Sequence, residues 1–487
     1  MLAQGRASIY ECSLRRYACR MTELGLTSRA RSVGLAVVLV LIGLCAAPGR
    51  ALAIGETITD VRILDNQRTE EATVRSIAGI SNGDILEADT LDKVRERLNT
   101  TGLFSDVNVW WEPNGAGVRV NVSVKDKFPW APVPTGSWSA NNKSLGVLFV
   151  HGNLFGRGKQ LAIGGRVATV DSGALLAYRD PSLFGSWLYW QAQGLVQKQV
   201  IPEYQNYGTG PGGQISLADP AELSEQHLFS YGFELVAGIA WWRRVKTQVA
   251  WHLENFNNEG AFNPETGAPE PSLTNGGLAG IGRASLTFDF RGREFAVMRG
   301  EAFSLGFDYA SPTFKSDFTY WRAGASWEHG IRFFKSHNLI YLVGATFGHD
   351  LPFWAENTAG GPNLRGYLYQ QFRGDSQVGG KVEYHFPLFS IGSLDFRALA
   401  FYDVQALWFR EVPTDFGGMD HYTRPTVDMR VFPADNKYGF SWSQSIHNDV
   451  GGGLRFFLRS VAVPLVGFDA GYGIEAQNWR FILIVGA

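Results

Sequence analysis

The chain has 487 residues, a formal net charge of −2 and a pI near 6.5, so it lacks the basic excess that nucleic-acid binding requires. Charged residues make up only 18%, aromatic residues reach 13%, and there are 57 glycines. No run reaches the ~18 apolar residues that a membrane-spanning helix needs. This combination is typical of a transmembrane β-barrel, whose lipid-facing side chains occupy alternate positions.

Residues 1–53 are interpreted as a secretory signal region. Arg29 and Arg31 supply the positive start, Val33–Ala47 the apolar core and Ala51–Ala53 the small-residue cleavage site. A buried or membrane helix is the alternative interpretation, but the apolar core is too short for a membrane anchor.

The same region bears on the start of translation and on cysteine chemistry. Residues 1–20 add nothing to a signal, so Met21 is a candidate for the true start. All three cysteines, Cys12, Cys19 and Cys45, lie here, so the exported protein is expected to contain none and to form no disulfide.

Residues 55–128 are predicted to form a small α/β domain with the order strand, helix, helix, strand, strand. Ile58–Asn66 alternates like a strand, and Thr69 is a candidate N-cap for a short helix within Arg68–Ile80. Leu86–Phe104 carries the apolar spacing of a second helix. The segments "FSDVNVWWE" and "GVRVNVSVKD" alternate on either side of "PNGAG", a pattern that predicts a hairpin.

A semi-rigid linker is predicted over residues 129–134, where prolines are frequent, and a barrel over residues 135–487. Alternation persists through this second region, for example in "GKVEYHF", where Glu383 falls on the polar face. A soluble β-sandwich also alternates, but here short connections take turns with long polar ones, as in outer-membrane barrels. At roughly 22 residues for each strand and its connection, the region holds about sixteen strands.

Five short segments are similar to those of one known family. "NGDIL" and "RLNTTGLFSDVNV" lie in the small domain, "GNLFGRGKQL" and "YRDPSLFG" match its first two periplasmic turns, and "GGPNLRGY" (Gly360–Tyr367) matches its sixth external loop. On these segments the chain resembles the BamA/TamA-type outer-membrane protein assembly barrel superfamily, also called the bacterial surface antigen family. The resemblance covers nearly all of the predicted mature chain and implies that residues 55–128 form one POTRA (polypeptide-transport-associated) domain.

The resemblance implies a role for the loop motif Leu364, Arg365, Gly366 and Tyr367. In the family this loop folds back into the barrel lumen, and its arginine docks on acidic residues of neighbouring strands. Here the acceptors would be Glu383 and Asp403, which alternation independently places on the polar face. A buried guanidinium needs carboxylate partners to offset its desolvation. The alternative is that Arg365 is a solvated loop charge.

The resemblance also implies a lateral seam between the first and last barrel strands, predicted at about Gly136–Ala140 and Asn478–Val485. Lipid cannot satisfy unpaired backbone groups, so a nascent barrel strand must enter the membrane already paired. A seam that opens can accept it by β-augmentation. The seam residues are predicted to be Gly136, Trp138, Trp479 and Phe481.

The predicted function is therefore outer-membrane β-barrel protein assembly or insertion through a POTRA domain and a lateral seam. The alternatives are a polypeptide-secretion transporter of the two-partner type and a structural surface-antigen barrel without assembly activity. Predicted partners are outer-membrane lipids and nascent outer-membrane β-barrel proteins, with no nucleic acid. The predicted location is the bacterial outer membrane, with the POTRA domain in the periplasm.

No enzyme, cofactor or metal is predicted. Histidines do not show ligand spacing such as H-E-x-x-H, and serines lack a G-x-S-x-G elbow. "GNLFGRGK" departs from the phosphate-binding pattern G-x-x-x-x-G-K-[ST] and is not followed by a helical pattern.

Overall fold

The computed structural model describes residues 55–183, 186–204, 206, 209–210, 213–214, 216–241, 244–270, 272–294, 296–410, 440, 442, 445–458 and 464–486. The predicted signal region, with Met21 and the three cysteines, lies outside these residues. The chain forms two compact units. Among the described residues, 55–62, Ser81–Lys93 and Trp110–Asn121 belong to the smaller unit, and Ile63–Ile80, Val94–Val109 and those from Val122 onward to the larger.

The segment before the barrel has the predicted order of strand, helix, helix, strand and strand. Its elements are β1 Ile58–Leu64, α1 Glu71–Ala78, α2 Thr90–Thr100, β2 Phe104–Asn114 and β3 Gly117–Asp126, with the strands in the order β1-β3-β2. Alternate valines of β3 are fully buried, as are Val94 and Leu98 on one face of α2. The apolar spacing read from the sequence therefore sets which face of each element is buried.

Thr69 does not cap α1, contrary to expectation. The helix begins at Glu71, and its N-cap residue Glu70 makes no side-chain capping bond. The Thr69 hydroxyl instead donates to Asp126, whose Oδ2 also accepts the backbone N–H groups of Gln67 and Arg68, each at 2.8 Å. Burial by itself raises the pKa of Asp126, but these hydrogen bonds outweigh it and leave the pKa below its ordinary value.

The rest of the described chain forms a closed antiparallel barrel of sixteen long strands, as predicted. The long strands are β4 Trp130–Trp138, β5 Lys143–Leu154, β6 Lys159–Ala168, β7 Asp171–Asp180, β8 Leu188–Tyr204, β11 Glu222–Trp241, β12 Val245–Phe262, β14 Gly277–Asp289, β16 Val297–Ala310, β17 Tyr320–Phe333, β18 His337–His349, β21 Ser376–Ile391, β22 Leu394–Trp408, β23 Ile446–Leu458, β24 Pro464–Gly473 and β25 Asn478–Val485. Shorter strands of two or three residues lie between them: β9 Thr209–Gly210, β10 Gly213–Gln214, β13 Pro269–Glu270, β15 Gly292–Glu294, β19 Asn357–Ala359 and β20 Phe372–Gly374.

The barrel wall alternates as the sequence indicates. In β22 the side chain of Tyr402 is 42% exposed, whereas the next side chain, Asp403, is fully buried. In β5 the outward residues Leu145, Val147 and Phe149 are all exposed and apolar. Such a wall has an apolar outside and a polar inside, which matches a bilayer around an outer-membrane barrel. Among the described residues, no helix is both long and apolar enough to cross a membrane.

The predicted linker is wrong in one respect. Residues 130–134 belong to the first barrel strand, because β4 runs from Trp130 to Trp138 and pairs with β5 along its whole length. Prolines are compatible with this strand because it lies at the seam of the barrel, where a missing N–H removes no bond to β5.

Candidate functional site

A hairpin places the motif Leu364–Tyr367 inside the barrel. Strands β19 and β20 pair with each other and close the loop at its base. Gly360 and Gly361 follow β19 with φ values of 122° and 69°, in the left-handed region that favours glycine. The Asn363 side chain stabilises the turn, since it accepts a hydrogen bond from the Gly360 N–H at 2.9 Å and donates one to the Thr358 carbonyl at 3.1 Å. The loop is therefore a preformed turn with the arginine at its tip.

Arg365 is almost completely enclosed, at 3% exposure, and contacts both predicted acceptors. Its Nε and Nη2 donate to the two carboxylate oxygens of Asp403 at 2.7 and 2.8 Å, and its Nη1 lies 2.9 Å from Glu383 Oε1. The guanidinium carbon also lies 3.4 Å from the ring centroid of Phe401, which adds a cation–π contact. The solvated-loop alternative does not describe this side chain.

Two further aspartates belong to the same cluster and were not predicted. Asp469 lies 3.4 Å from Arg365 Nη1, and it is also held by Arg455 through contacts of 2.6 and 2.9 Å. Asp449 accepts the Gly366 backbone N–H at 2.7 Å and is the cross-strand partner of Asp403. Alternation in "HNDVGG" and "GFDAG" indicates that both point inward, but only strand pairing shows that they meet the arginine.

The remaining residues of the motif fix the loop by contact and by close approach. A Cβ at Gly366 would collide with the backbone nitrogen of Gly473, so the position fits glycine alone. The Tyr367 hydroxyl bonds the carboxylate of Glu475, another acid that was not predicted. Leu364 is fully buried in an apolar cluster that also contains Tyr367 and Phe372. The motif is thus anchored by charge, by backbone fit and by apolar packing together.

A second segment of the same long connection packs against the inner wall. Trp354 stacks on Phe256 with ring centroids 4.1 Å apart, and it meets Tyr320 edge-on. The Arg373 guanidinium lies 4.0 Å from the Phe353 ring centroid and its Nε donates to Glu356 at 2.8 Å. The connection therefore occupies part of the lumen at two places along its length.

The seam between β4 and β25 is short. Three residue pairs join these strands: Gly136 with Val485, Ser137 with Ile484, and Trp138 with Leu483. By contrast, nine pairs join β4 to β5 and eight join β24 to β25.

The predicted seam residues divide into two groups. Gly136 and Trp138 lie in the seam, although the first strand is Trp130–Trp138 and not the expected Gly136–Ala140. Trp479 and Phe481 lie on the last strand, which spans the expected Asn478–Val485, but they have no partner residue in β4. These two residues have no partner because β4 ends at a tight turn after Trp138, where the Ser139 N–H donates to the Asn142 carbonyl at 2.9 Å.

Within the described residues, no group of three or more His, Cys, Asp or Glu side chains has the arrangement of a metal site. The acids of the lumen cluster instead face arginines, as the contacts of Arg365 and Arg455 show. The chemistry that the arrangement supports is electrostatic fixation of a loop and pairing of backbone edges.

Comparisons with known proteins agree with this geometry. A family model described as the Omp85 superfamily domain matches residues 153–458, and one described as the POTRA surface antigen variable number repeat matches residues 56–127. No curated protein matches.

Solved structures share the fold at low sequence identity. BamA from Haemophilus ducreyi lacking POTRA domains 1–3 is 13% identical, with a TM-score of 0.58, over 88% of this chain and 84% of that one. CdiB from Acinetobacter baumannii is 12% identical, with a TM-score of 0.56, over 89% and 74% of the two chains. CdiB from Escherichia coli is 11% identical, with a TM-score of 0.51, over 90% and 92%.

Proposed function

Because the chain belongs to the Omp85 superfamily, we propose that it inserts β-barrel proteins into the outer membrane through its lateral seam. Barrels of this family handle nascent β-barrel or secreted polypeptides, and their fold implies the bacterial outer membrane. In this proposal the POTRA domain lies in the periplasm and receives client strands. The client then pairs with the barrel at the seam before it enters lipid.

The observation that carries the proposal is the short pairing between β4 and β25. A net contribution of about 0.5–1.5 kcal/mol for each backbone hydrogen bond makes a seam of three residue pairs much weaker than its neighbours. The barrel therefore opens most easily at this position, and opening exposes two strand edges together. Such edges are templates for pairing with another chain.

The docked arginine supports the proposal because its contacts limit where neighbouring strands of the barrel can separate. Arg365 ties the loop to Glu383 on β21, Asp403 on β22 and Asp469 on β24. These strands lie on one side of the seam, so the cluster holds that part of the wall together. The cluster therefore disfavours opening within β21–β24 and leaves the contact between β25 and β4 free to open.

Export of a partner polypeptide through the lumen is the second candidate. The fold likeness to the two CdiB structures favours it, since their TM-scores approach that of BamA. Export requires a clear lumen, whereas Arg365 and Trp354 hold the long connection against the inner wall. Because this connection must move for export but not for insertion, we favour insertion.

A disulfide across the seam tests the proposal. Trp138→Cys with Leu483→Cys joins a cross-strand pair of the seam, and the exported chain is expected to supply no competing cysteine. Phe149→Cys with Ile163→Cys is a matched control, because it also joins exposed apolar residues paired across two strands. The Cα separation of paired strand residues, about 4.5–5.5 Å, permits a disulfide at either place.

Purified protein in lipid vesicles is given an unfolded outer-membrane barrel, and insertion is followed by protection from protease. Oxidation of the seam pair should abolish the acceleration of insertion, and reduction should restore it. Oxidation of the control pair should leave the rate unchanged. Equal insertion rates with the seam closed and open would remove lateral insertion as the function.

A further inference from the structure

The two strand edges at the seam differ in their ability to donate hydrogen bonds. In an antiparallel ladder the N–H and C=O of one residue point to the same neighbour, and those of the next residue point to the opposite side. The Gly152 N–H donates to the Pro129 carbonyl at 2.7 Å, and the Ser139 N–H donates to the Asn142 carbonyl at 2.9 Å. Odd-numbered residues of β4 therefore face β5, and even-numbered residues face the seam.

Prolines occupy two of the five seam-facing positions of β4. These positions are Trp130, Pro132, Pro134, Gly136 and Trp138. Proline has no N–H, so positions 132 and 134 present only carbonyl oxygens to an incoming strand. A Cβ at Gly486 would collide with the Pro134 carbonyl oxygen, which independently places that carbonyl on the seam side. The longest uninterrupted run of donors on this edge is Gly136 and Trp138.

The edge of β25 has no such interruption. The Gly486 N–H donates to the carbonyl of Leu465 on β24 at 2.9 Å. Even-numbered residues of β25 therefore face β24, and odd-numbered residues face the seam. The seam-facing positions are Trp479, Phe481, Leu483 and Val485. Each has both an N–H and a C=O. Among the described residues, no backbone hydrogen bond joins Trp479 or Phe481 to β4 or to the turn after it.

We propose that an incoming client strand pairs with the β25 edge, from Trp479 to Val485, and does not pair with the β4 edge from Trp130 to Pro134. The proposal rests on the insertion function and specifies which side of the open seam is used. The partner that binds the β25 edge is an extended barrel strand with alternating apolar residues. The outward side chains of β25 fit such a strand, because Trp479 and Phe481 are each 55% exposed on the lipid-facing side.

The client strand does not pair with this part of β4 for two reasons, both of which concern its prolines. A client carbonyl opposite Pro132 or Pro134 finds no donor, and in lipid water is absent to replace it. Proline on an exposed edge is also a common device against unwanted strand pairing. The prolines therefore leave the existing β4–β5 pairing intact while preventing a second partner from extending along the periplasmic half of β4.

Disulfide trapping of a defined strand tests the proposal. The probe is a synthetic peptide with the sequence of residues 478–485 and one terminal cysteine joined through a short flexible glycine linker, which lets the thiol reach a position in the middle of a strand. The receiving proteins are full-length chains in lipid vesicles with Cys12, Cys19 and Cys45 replaced by serine. One carries Phe481→Cys on β25 and the other carries Trp130→Cys on β4, and both positions are exposed aromatic residues in the wild-type chain.

The expected yield of trapped peptide is roughly tenfold higher for Phe481→Cys than for Trp130→Cys, which corresponds to about 1.4 kcal/mol. Adding Pro132→Val and Pro134→Val should raise the Trp130→Cys yield severalfold. Pro387→Val, at a strand proline of β21 away from the seam, should not raise it. Heat-modifiable mobility on gels confirms that each variant is folded.

Equal trapping at the two positions would overturn the choice of β25, and so would a yield at Trp130→Cys that does not change with the proline replacements. Either result would leave strand pairing at the seam intact. Trapping at neither position would overturn this proposal and would also count against lateral insertion. The two failures are therefore distinguishable in one experiment.

Discussion

Removing the Arg365 side chain should be among the most damaging single changes in the barrel. The guanidinium is 3% exposed and holds Asp403 through two hydrogen bonds of 2.7 and 2.8 Å, with Glu383 at 2.9 Å. Arg365→Ala leaves these buried carboxylates without their main partner. Breaking a buried ion pair in this way costs about 3–5 kcal/mol, which lowers the folding equilibrium constant by roughly two to four orders of magnitude.

The assay is urea unfolding in detergent micelles, followed by tryptophan fluorescence and by loss of the compact form on unheated gels. Arg322→Ala is the matched control. Its guanidinium pairs with Asp308 at 2.8 Å but is 34% exposed, so its loss should cost less than about 1 kcal/mol. An Arg365→Ala protein no less stable than Arg322→Ala would refute the claim that the buried cluster stabilises the barrel.

Two companion variants separate the causes of the effect. Arg365→Lys keeps the positive charge but cannot bond both oxygens of Asp403 in the same plane, so its stability should fall between those of wild type and Arg365→Ala. Arg365→Ala combined with Asp403→Ala removes one of the stranded acids and should cost less than the sum of the two single changes. Additive costs would show that the two residues do not act as a pair.

Two further predictions concern other parts of the molecule. Gly366→Ala should destabilise the folded barrel by about 1–3 kcal/mol in the same urea assay, because its Cβ would collide with Gly473; stability equal to wild type would contradict the fit. Asp126 has a lowered pKa in the folded state, so it stabilises the protein above its unfolded pKa of about 3.9, and this contribution disappears as the pH falls through the folded pKa. Asp126→Asn should remove that acid sensitivity from hydrogen exchange in α1, and an unchanged pH profile would exclude the carboxylate as its source.

Much of the fold follows from local patterns. Alternation identifies the inward face of β21 and β22, and so places Glu383 and Asp403 in the lumen before any strand is paired. The helices of the small domain follow from apolar spacing. Predicting the first barrel strand failed at Trp130–Pro134, since proline usually interrupts a strand, and only its place at the seam makes it acceptable.

The cluster around Arg365 could be predicted only in part. Asp449, Asp469 and Glu475 are distant in sequence from the loop, and they reach it because β23 pairs with β22, and β24 with β23, in a particular register. Register depends on pairing along the whole strand and is not fixed by the alternation of any one segment. The length of the seam is unpredictable for the same reason, because it depends on where β4 ends relative to β25.

Depletion of the protein in its own cells tests the central claim most directly. Other outer-membrane barrels are quantified after depletion, with complementation by wild type, by the oxidised Trp138→Cys/Leu483→Cys pair, or by the Phe149→Cys/Ile163→Cys control. The account predicts that the barrel inventory falls and recovers with wild type and control but not with the locked seam. An inventory unchanged by depletion, or fully restored by the locked seam, would contradict it.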